Sequence, residues 1–187
     1  TAPPLPSLDP QPPATPTVLN VNVAPTPVSN AGSDYTVCQG SAVTISGTSV
    51  ANESSFSWQT VSGFGILTNT NSLTPTYTPT AFETGDAVLS LNVAGTSTCS
   101  PVADQLTIHI LPMVTASAGP DQFVCQNEDF VVGTASANNF SSLLWTTTGT
   151  GTILDPTGLN PKYTPGAGET GPITMTLTAF GNAPCPS

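Results

Sequence analysis

The chain has 187 residues, eleven of them Asp or Glu, with a single Lys, no Arg and a net charge of −10. One cation cannot neutralise a phosphate backbone or hold an anionic lipid surface, so nucleic-acid binding and electrostatic membrane docking are excluded. Charged residues are only 6%, and Lys, Arg and Glu are scarce beside 31 Thr and 20 Pro, so ion-pair networks and long helices are excluded too.

In chain order, residues 1–16 come first and contain seven Pro. Such a stretch favours extended polyproline II and builds no core, so it reads as a Pro-rich arm or linker. Residues 17–28 hold Leu19, Val21 and Val23 in alternation with Asn20 and Asn22, which reads as a strand and its connection. Further strands follow from period-two alternation. Val43 and Ile45 mark one, Phe56 and Trp58 another, and Leu89, Leu91 and Val93 a third. Leu106, Ile108 and Ile110 form the next, with Thr107 and His109 facing outward. Phe130 with Val132, Leu144 with Trp145, and Ile173, Met175, Leu177 and Ala179 repeat the pattern downstream. Gly, Asn, Pro and Ser clusters separate the runs. No apolar run reaches 18 residues, so membrane insertion by a helix is not expected. Without an initiating Met or signal peptide, the chain reads as a mature or excerpted segment.

The pattern is an internal repeat. Ala31-Gly32-Ser33-Asp34 and Val37-Cys38-Gln39 match Ala118-Gly119-Pro120-Asp121 and Val124-Cys125-Gln126, 87 residues on, as Trp58 matches Trp145. One residue is lost after the Trp. Gly63, Gly65, Tyr77-Thr78-Pro79, Glu83-Thr84-Gly85 and Cys99 then match Gly149, Gly151, Tyr163-Thr164-Pro165, Glu169-Thr170-Gly171 and Cys185 at 86. Leu19–Pro25 matches Leu106–Pro112 at 87. Residues 17–28 are therefore the last strand of a preceding or neighbouring repeat plus a connection. Residues 29–112 are a complete repeat, and 113–187 a second one lacking its last strand. A period this long suits tandem β-sandwiches, an all-β fold.

Four Cys allow three pairings, and repeat symmetry selects Cys38–Cys99 and Cys125–Cys185, one disulfide per repeat, formed outside the cytoplasm. Each would close a loop of about 60 residues, on the order of 4 kcal/mol in the chain-entropy model. Zinc is not expected, because CxxC spacing and multiple His are absent. Asp34, Asp104 and Asp121 are candidate calcium ligands near repeat junctions, or turn caps. Chemistry has few carriers. His109, the only His, falls on an outward face. Asp86, close to Glu83 in one turn, is replaced by Pro172 in the second repeat. Gly63-Phe64-Gly65 and Gly149-Thr150-Gly151 read as hairpin turns rather than phosphate loops, since no helix or Lys follows. Trp58, Trp145, Tyr77 and Tyr163 read as core anchors, with sugar stacking the alternative for the two Trp. Asn52 and Asn139 are glycosylation acceptors by sequon. An isopeptide staple needs a Lys in each repeat, and the first has none.

The motifs Ala-Gly-Pro-Asp-Gln-x-Val-Cys-Gln (118–126), Trp-Thr-Thr-x-Gly-Thr-Gly (145–151) and Leu-Asn-Pro-x-Tyr-Thr-Pro (159–165), with the closing Cys, resemble a known repeat. They are similar to the immunoglobulin-like, polycystic-kidney-disease-type repeats of giant Bacteroidetes surface proteins, of which gliding-motility adhesins are members. The resemblance implies a β-sandwich, export to the bacterial cell surface, and a non-catalytic place in a filamentous adhesin. Its partners would be adjacent repeats or identical subunits, and surface glycans or other cells. If the chain is a subunit, residues 17–24 of one copy, with Leu19, Val21 and Val23 as donor side chains, would complete the second repeat of another. The resemblance favours a continuous giant chain instead. A carbohydrate-binding accessory module of a secreted enzyme is the alternative function.

Overall fold

Alternating Thr and aliphatic residues, with Gly and Asn at the breaks, form strands because branched side chains suit a pleated surface and Asn and Gly tolerate the turns between. The computed structural model describes residues 1–3, 15–96 and 99–185, so residues 4–14 of the Pro-rich arm lie outside the described residues. The first repeat comprises β1 (Val28–Asn30), β2 (Tyr35–Cys38), β3 (Val43–Thr44), β4 (Ser49–Ala51), β5 (Glu53–Ser62), β6 (Ile66–Thr68), β7 (Thr76–Thr78), β8 (Gly85–Gly95) and β9 (Val102–Leu111). One sheet has the order β2-β9-β8-β5 and the other β3-β7-β6, while β1 pairs with β4 and packs on β8 and β9. β2 runs parallel to β9, and all other pairings are antiparallel. A short first strand parallel to the last, with two sheets closing on one core, is an immunoglobulin-like sandwich. Trp58, Tyr77, Leu89, Leu91, Leu106 and Ile108 lie at the centre of that core, each at most 3% exposed.

The second repeat comprises β10 (Thr115–Ser117), β11 (Phe130–Val131), β12 (Ser136–Asn138), β13 (Phe140–Thr147), β14 (Thr152–Leu154), β15 (Lys162–Thr164) and β16 (Met175–Gly181). The β11-β15-β14 sheet and the β10-β12 pair reproduce the first repeat, but the other sheet holds only β13 and β16. The residue lost after the Trp is a β-bulge. In β5 the register slips between Thr60 and Ser62, whereas β13 runs without a slip from Ser142 to Thr147. The extra residue, Val61, is accommodated by this local kink.

The expected disulfides are corrected. Cys38 bonds to Cys185, with Cα atoms 5.3 Å apart, and Cys99 and Cys125 are free. The Cys38–Cys99 pairing fails on length. Cys38 lies opposite Leu111 at the end of β9, and Cys99 precedes Val102 at its start. Nine residues of strand separate those points by about 30 Å, far beyond the roughly 7 Å a disulfide spans. Cys125 and Cys185 hold the equivalent positions of the second repeat, so the same separation applies. The bond therefore joins the two repeats instead of stapling either one.

The glycine segments are also not hairpin turns. β5 and β6 belong to different sheets, so Gly63-Phe64-Gly65 carries the chain across the sandwich. It passes directly over the Tyr77 ring: a Cβ on either Gly63 or Gly65 would come within 2.5 Å of Tyr77 atoms. Glycine is required there for close approach.

Candidate functional site

Where the first repeat places β9, the second has a groove of about 370 Å³, lined by Val124, Trp145, Tyr163, Ile173 and Met175 among others. Its floor is formed. Val132, Leu143, Trp145 and Tyr163 are buried, as are Ile45, Trp58 and Tyr77, the first-repeat equivalents of three of them. Its lid is missing. Val37, paired beside β9, is 8% exposed, but its equivalent Val124 is 44% exposed. One edge of β16 pairs with β13, and among the described residues no strand pairs with the other, leaving a row of backbone donors and acceptors along the groove. Residues 122–125, equivalent to β2, form no strand, because β2 exists only by pairing with β9.

Residues 15–27 also belong to no strand. Leu19, Val21 and Val23 are exposed there, Val23 at 91%. Their equivalents Leu106, Ile108 and Ile110 are the buried face of β9. The chain thus carries a β9-like segment outside any sheet and, among the described residues, a sheet with an open edge at β16.

Two of the three Asp candidates for calcium have strand-holding positions. Asp34 Oδ1 accepts the Thr107 N–H at 2.7 Å, and Asp104 Oδ2 accepts the Ala31 N–H at 2.8 Å. Both tie β9 to the start of its repeat. Asp121, the equivalent of Asp34, lies on the groove. Among the described residues no three His, Cys, Asp or Glu side chains gather as a metal site.

A tyrosine–glutamate clasp closes the same pole of each repeat. Glu83, 5% exposed, accepts bonds from the Tyr77 hydroxyl at 2.7 Å and the Phe64 and Thr80 N–H groups, while Gly65 donates its N–H to the Tyr77 oxygen. Glu169 and Tyr163 repeat this with Thr150, Gly166 and Gly151. Burial, then the bond to Glu83, pushes Tyr77 up to about 12; Tyr163 rises for the same causes. Burial alone would raise Glu83, but its three hydrogen bonds outweigh that and hold it below 4.5. Bonds from Tyr163, Gly166 and Thr150 lower Glu169.

The signs predict a stability plateau with two limbs. The Glu contribution is complete above the unfolded value of 4.5 and is lost as pH falls below it. The Tyr contribution is complete below 10.0 and is lost as pH rises from there through about 12. Thermal unfolding followed against pH checks both limbs. Tyr77→Phe with Tyr163→Phe should remove most of the alkaline limb, and an unchanged limb would refute the clasp.

The remaining candidates are structural in their surroundings. His109 Nδ1 lies 2.7 Å from Asp86 Oδ1, an exposed cross-strand pair on β9 and β8. Trp58 and Trp145 are each 3% exposed, so neither presents a face for sugar stacking. Asn52 and Asn139 sit at positive φ in equivalent turns, and their amide nitrogens donate to the carbonyls of Thr26 and Met113. They fasten each repeat to the connection that precedes it, a role the sequon pattern does not suggest. Lys162 pairs with Asp129 at 2.7 Å in a half-exposed position, and that bond lowers the Asp129 pKa. An ionised, wet carboxylate is not set up to condense with an amine.

The junction between repeats is built from equivalent parts. Gln39 donates its N–H to the Leu111 carbonyl, and Cys185 lies with Pro112 and Asn139 beside Leu111. At the other pole of the first repeat, Cys99 Sγ lies 3.6 Å from the Pro25 carbonyl oxygen and 3.9 Å from that of Ala24. Ala24-Pro25 is the equivalent of Leu111-Pro112.

No family model and no curated protein matches the chain. A solved structure described as Sidekick-1 immunoglobulin domains 1-5 is similar at 16% identity and a TM-score of 0.45. It covers 84% of this chain, which spans 39% of that structure's length.

Proposed function

We propose that the chain is a non-catalytic structural unit of an extracellular filament of the bacterial surface-adhesin kind, joined head to tail by strand complementation. The observation that carries this reading is the pairing of two defects. Residues 17–24 are a β9 sequence left exposed, and the second repeat is open where β9 belongs. Residues 17–24 of a second copy fit the groove in the register that β9 uses, with Leu19, Val21 and Val23 inward. Burying three such side chains contributes about 5–8 kcal/mol before the cost of association, and strand addition satisfies the open edge of β16. Asp121 would then accept the Asn20 N–H as Asp34 accepts that of Thr107. A heterologous contact of this kind produces open fibres when its rotation does not close a ring. The disulfide supports an oxidising, extracellular setting, and the motif resemblance supports the adhesin class.

Light scattering over a concentration series tests the reading. The chain should form oligomers whose mass rises with concentration, and Val21→Asp should leave a folded monomer, because a carboxylate cannot enter the groove unpaired. Asp121→Ala should weaken assembly about tenfold, the loss of roughly 1.4 kcal/mol for one charge-assisted bond. A wild-type chain that stays monomeric, or a Val21→Asp chain that assembles equally well, would sink the proposal.

A further inference from the structure

The two unpaired cysteines occupy the two halves of one junction. Within the chain, the first Cys of one repeat, Cys38, bonds to the second Cys of the following repeat, Cys185. That bond forms beside Leu111-Pro112, where the last strand of one repeat runs into the next. Cys125 is the equivalent of Cys38 and is exposed at the end of the unstranded segment 122–125. Cys99 is the equivalent of Cys185 and already sits against Ala24-Pro25, the matching connection. Neither can reach the other Cys of its own repeat, for the length reason given above. When residues 17–24 of a second copy fill the groove, Ala24 arrives opposite Cys125 as Leu111 lies opposite Cys38. The same copy brings its Cys99 with it, docked on Ala24-Pro25.

We propose that Cys125 of one copy and the Cys99 of the next form an intermolecular disulfide, so that every junction along the fibre carries the staple seen once inside the chain. This inference rests on the strand-complementation reading. The chemistry requires an oxidant, here a small disulfide such as oxidised glutathione. One Cys thiolate attacks it and releases one glutathione thiolate. The second Cys thiolate then attacks the mixed disulfide and releases the other. One S–S bond forms, two thiol protons are lost, and the two electrons reside on the two glutathione thiols. Strand insertion positions the sulfurs and the bond makes the junction irreversible without a reductant.

The test combines light scattering under native conditions with non-reducing gels after incubation with oxidised glutathione. The wild type is expected to give a ladder of covalent oligomers that collapses with reductant to one band near 18.9 kDa. Cys99→Ser and Cys125→Ser should each lose the ladder alone yet still assemble by light scattering. Mixed together, they should give covalent species that stop at the dimer, with a Cys99–Cys125 cross-link by peptide mass mapping. Native oligomers without a covalent ladder in the wild type would overturn the staple and leave strand complementation standing. Absence of native oligomers would overturn both. A ladder that persists in Cys125→Ser, or a mapped Cys125–Cys125 link, would overturn the pairing.

Discussion

Replacing Cys38 by Ser is expected to destabilise the chain by about 5 kcal/mol in the chain-entropy model. The bond it removes spans a sequence separation of 147 residues. That loop contains nearly all of both repeats, so the unfolded chain gains the freedom of a very long ring. The effect is large against the 5–15 kcal/mol that typically holds a domain together. It should fall hardest on the second repeat, whose core is open at Ile173 and Met175 on the groove side. Urea unfolding with and without reductant checks it. Cys38→Ser, Cys185→Ser and the double variant should match one another and the reduced wild type, because either change removes the same bond. Cys99→Ser is the control, with an expected change within about 0.5 kcal/mol. A Cys99→Ser chain as unstable as Cys38→Ser would restore the pairing within a repeat.

Trp58→Ala should cost about 3–5 kcal/mol, as a large aromatic removed from a closed core leaves a cavity that neighbours fill only in part. Trp58 is 3% exposed and sits opposite Leu91 in the β5–β8 pair. A finer contrast comes from the indole nitrogens. Trp145 Nε1 donates to the Gly158 carbonyl at 3.0 Å, while Trp58 Nε1 is buried without a protein partner. An unmet buried donor costs about 1–3 kcal/mol. Trp58→Phe removes that cost along with some apolar area, whereas Trp145→Phe removes a satisfied bond. Trp145→Phe should therefore be the more damaging of the two by about 1–2 kcal/mol. Chemical denaturation of the two Phe variants decides it, and equal losses would mean that the Trp58 nitrogen is satisfied after all.

Much of the sandwich was legible before any coordinates. Alternation located the inward faces of β8 and β9, since a strand has a period of two and one face must be dry. The 87-residue match paired residues 17–24 with β9, although they form no strand of their own. The one-residue gap after the Trp was visible, but only the register showed that the first repeat takes up the extra residue as a bulge in β5. The clasp was half visible. Tyr77 read as a core residue and Glu83 as part of a structural turn, but nothing in their six-residue spacing reveals that the phenol and carboxylate meet beneath a pair of glycines.

The cysteines mark where sequence reasoning stops. Symmetry between repeats is satisfied equally by a bond within each repeat and by a bond from each repeat to the next. Sequence position is measured along the chain, whereas a disulfide depends on a through-space distance of a few ångströms. The sequence by itself determined strands, repeat and composition, since these follow from local pattern and self-similarity. Only the tertiary structure decided that Cys38 faces Cys185, that Asp34 and Asp104 bind backbone N–H groups, and that Asn52 and Asn139 fasten the connections. Each of those contacts joins distant residues, and the length of β9 with the parallel run of β2 along it determines which ends of the sandwich they reach.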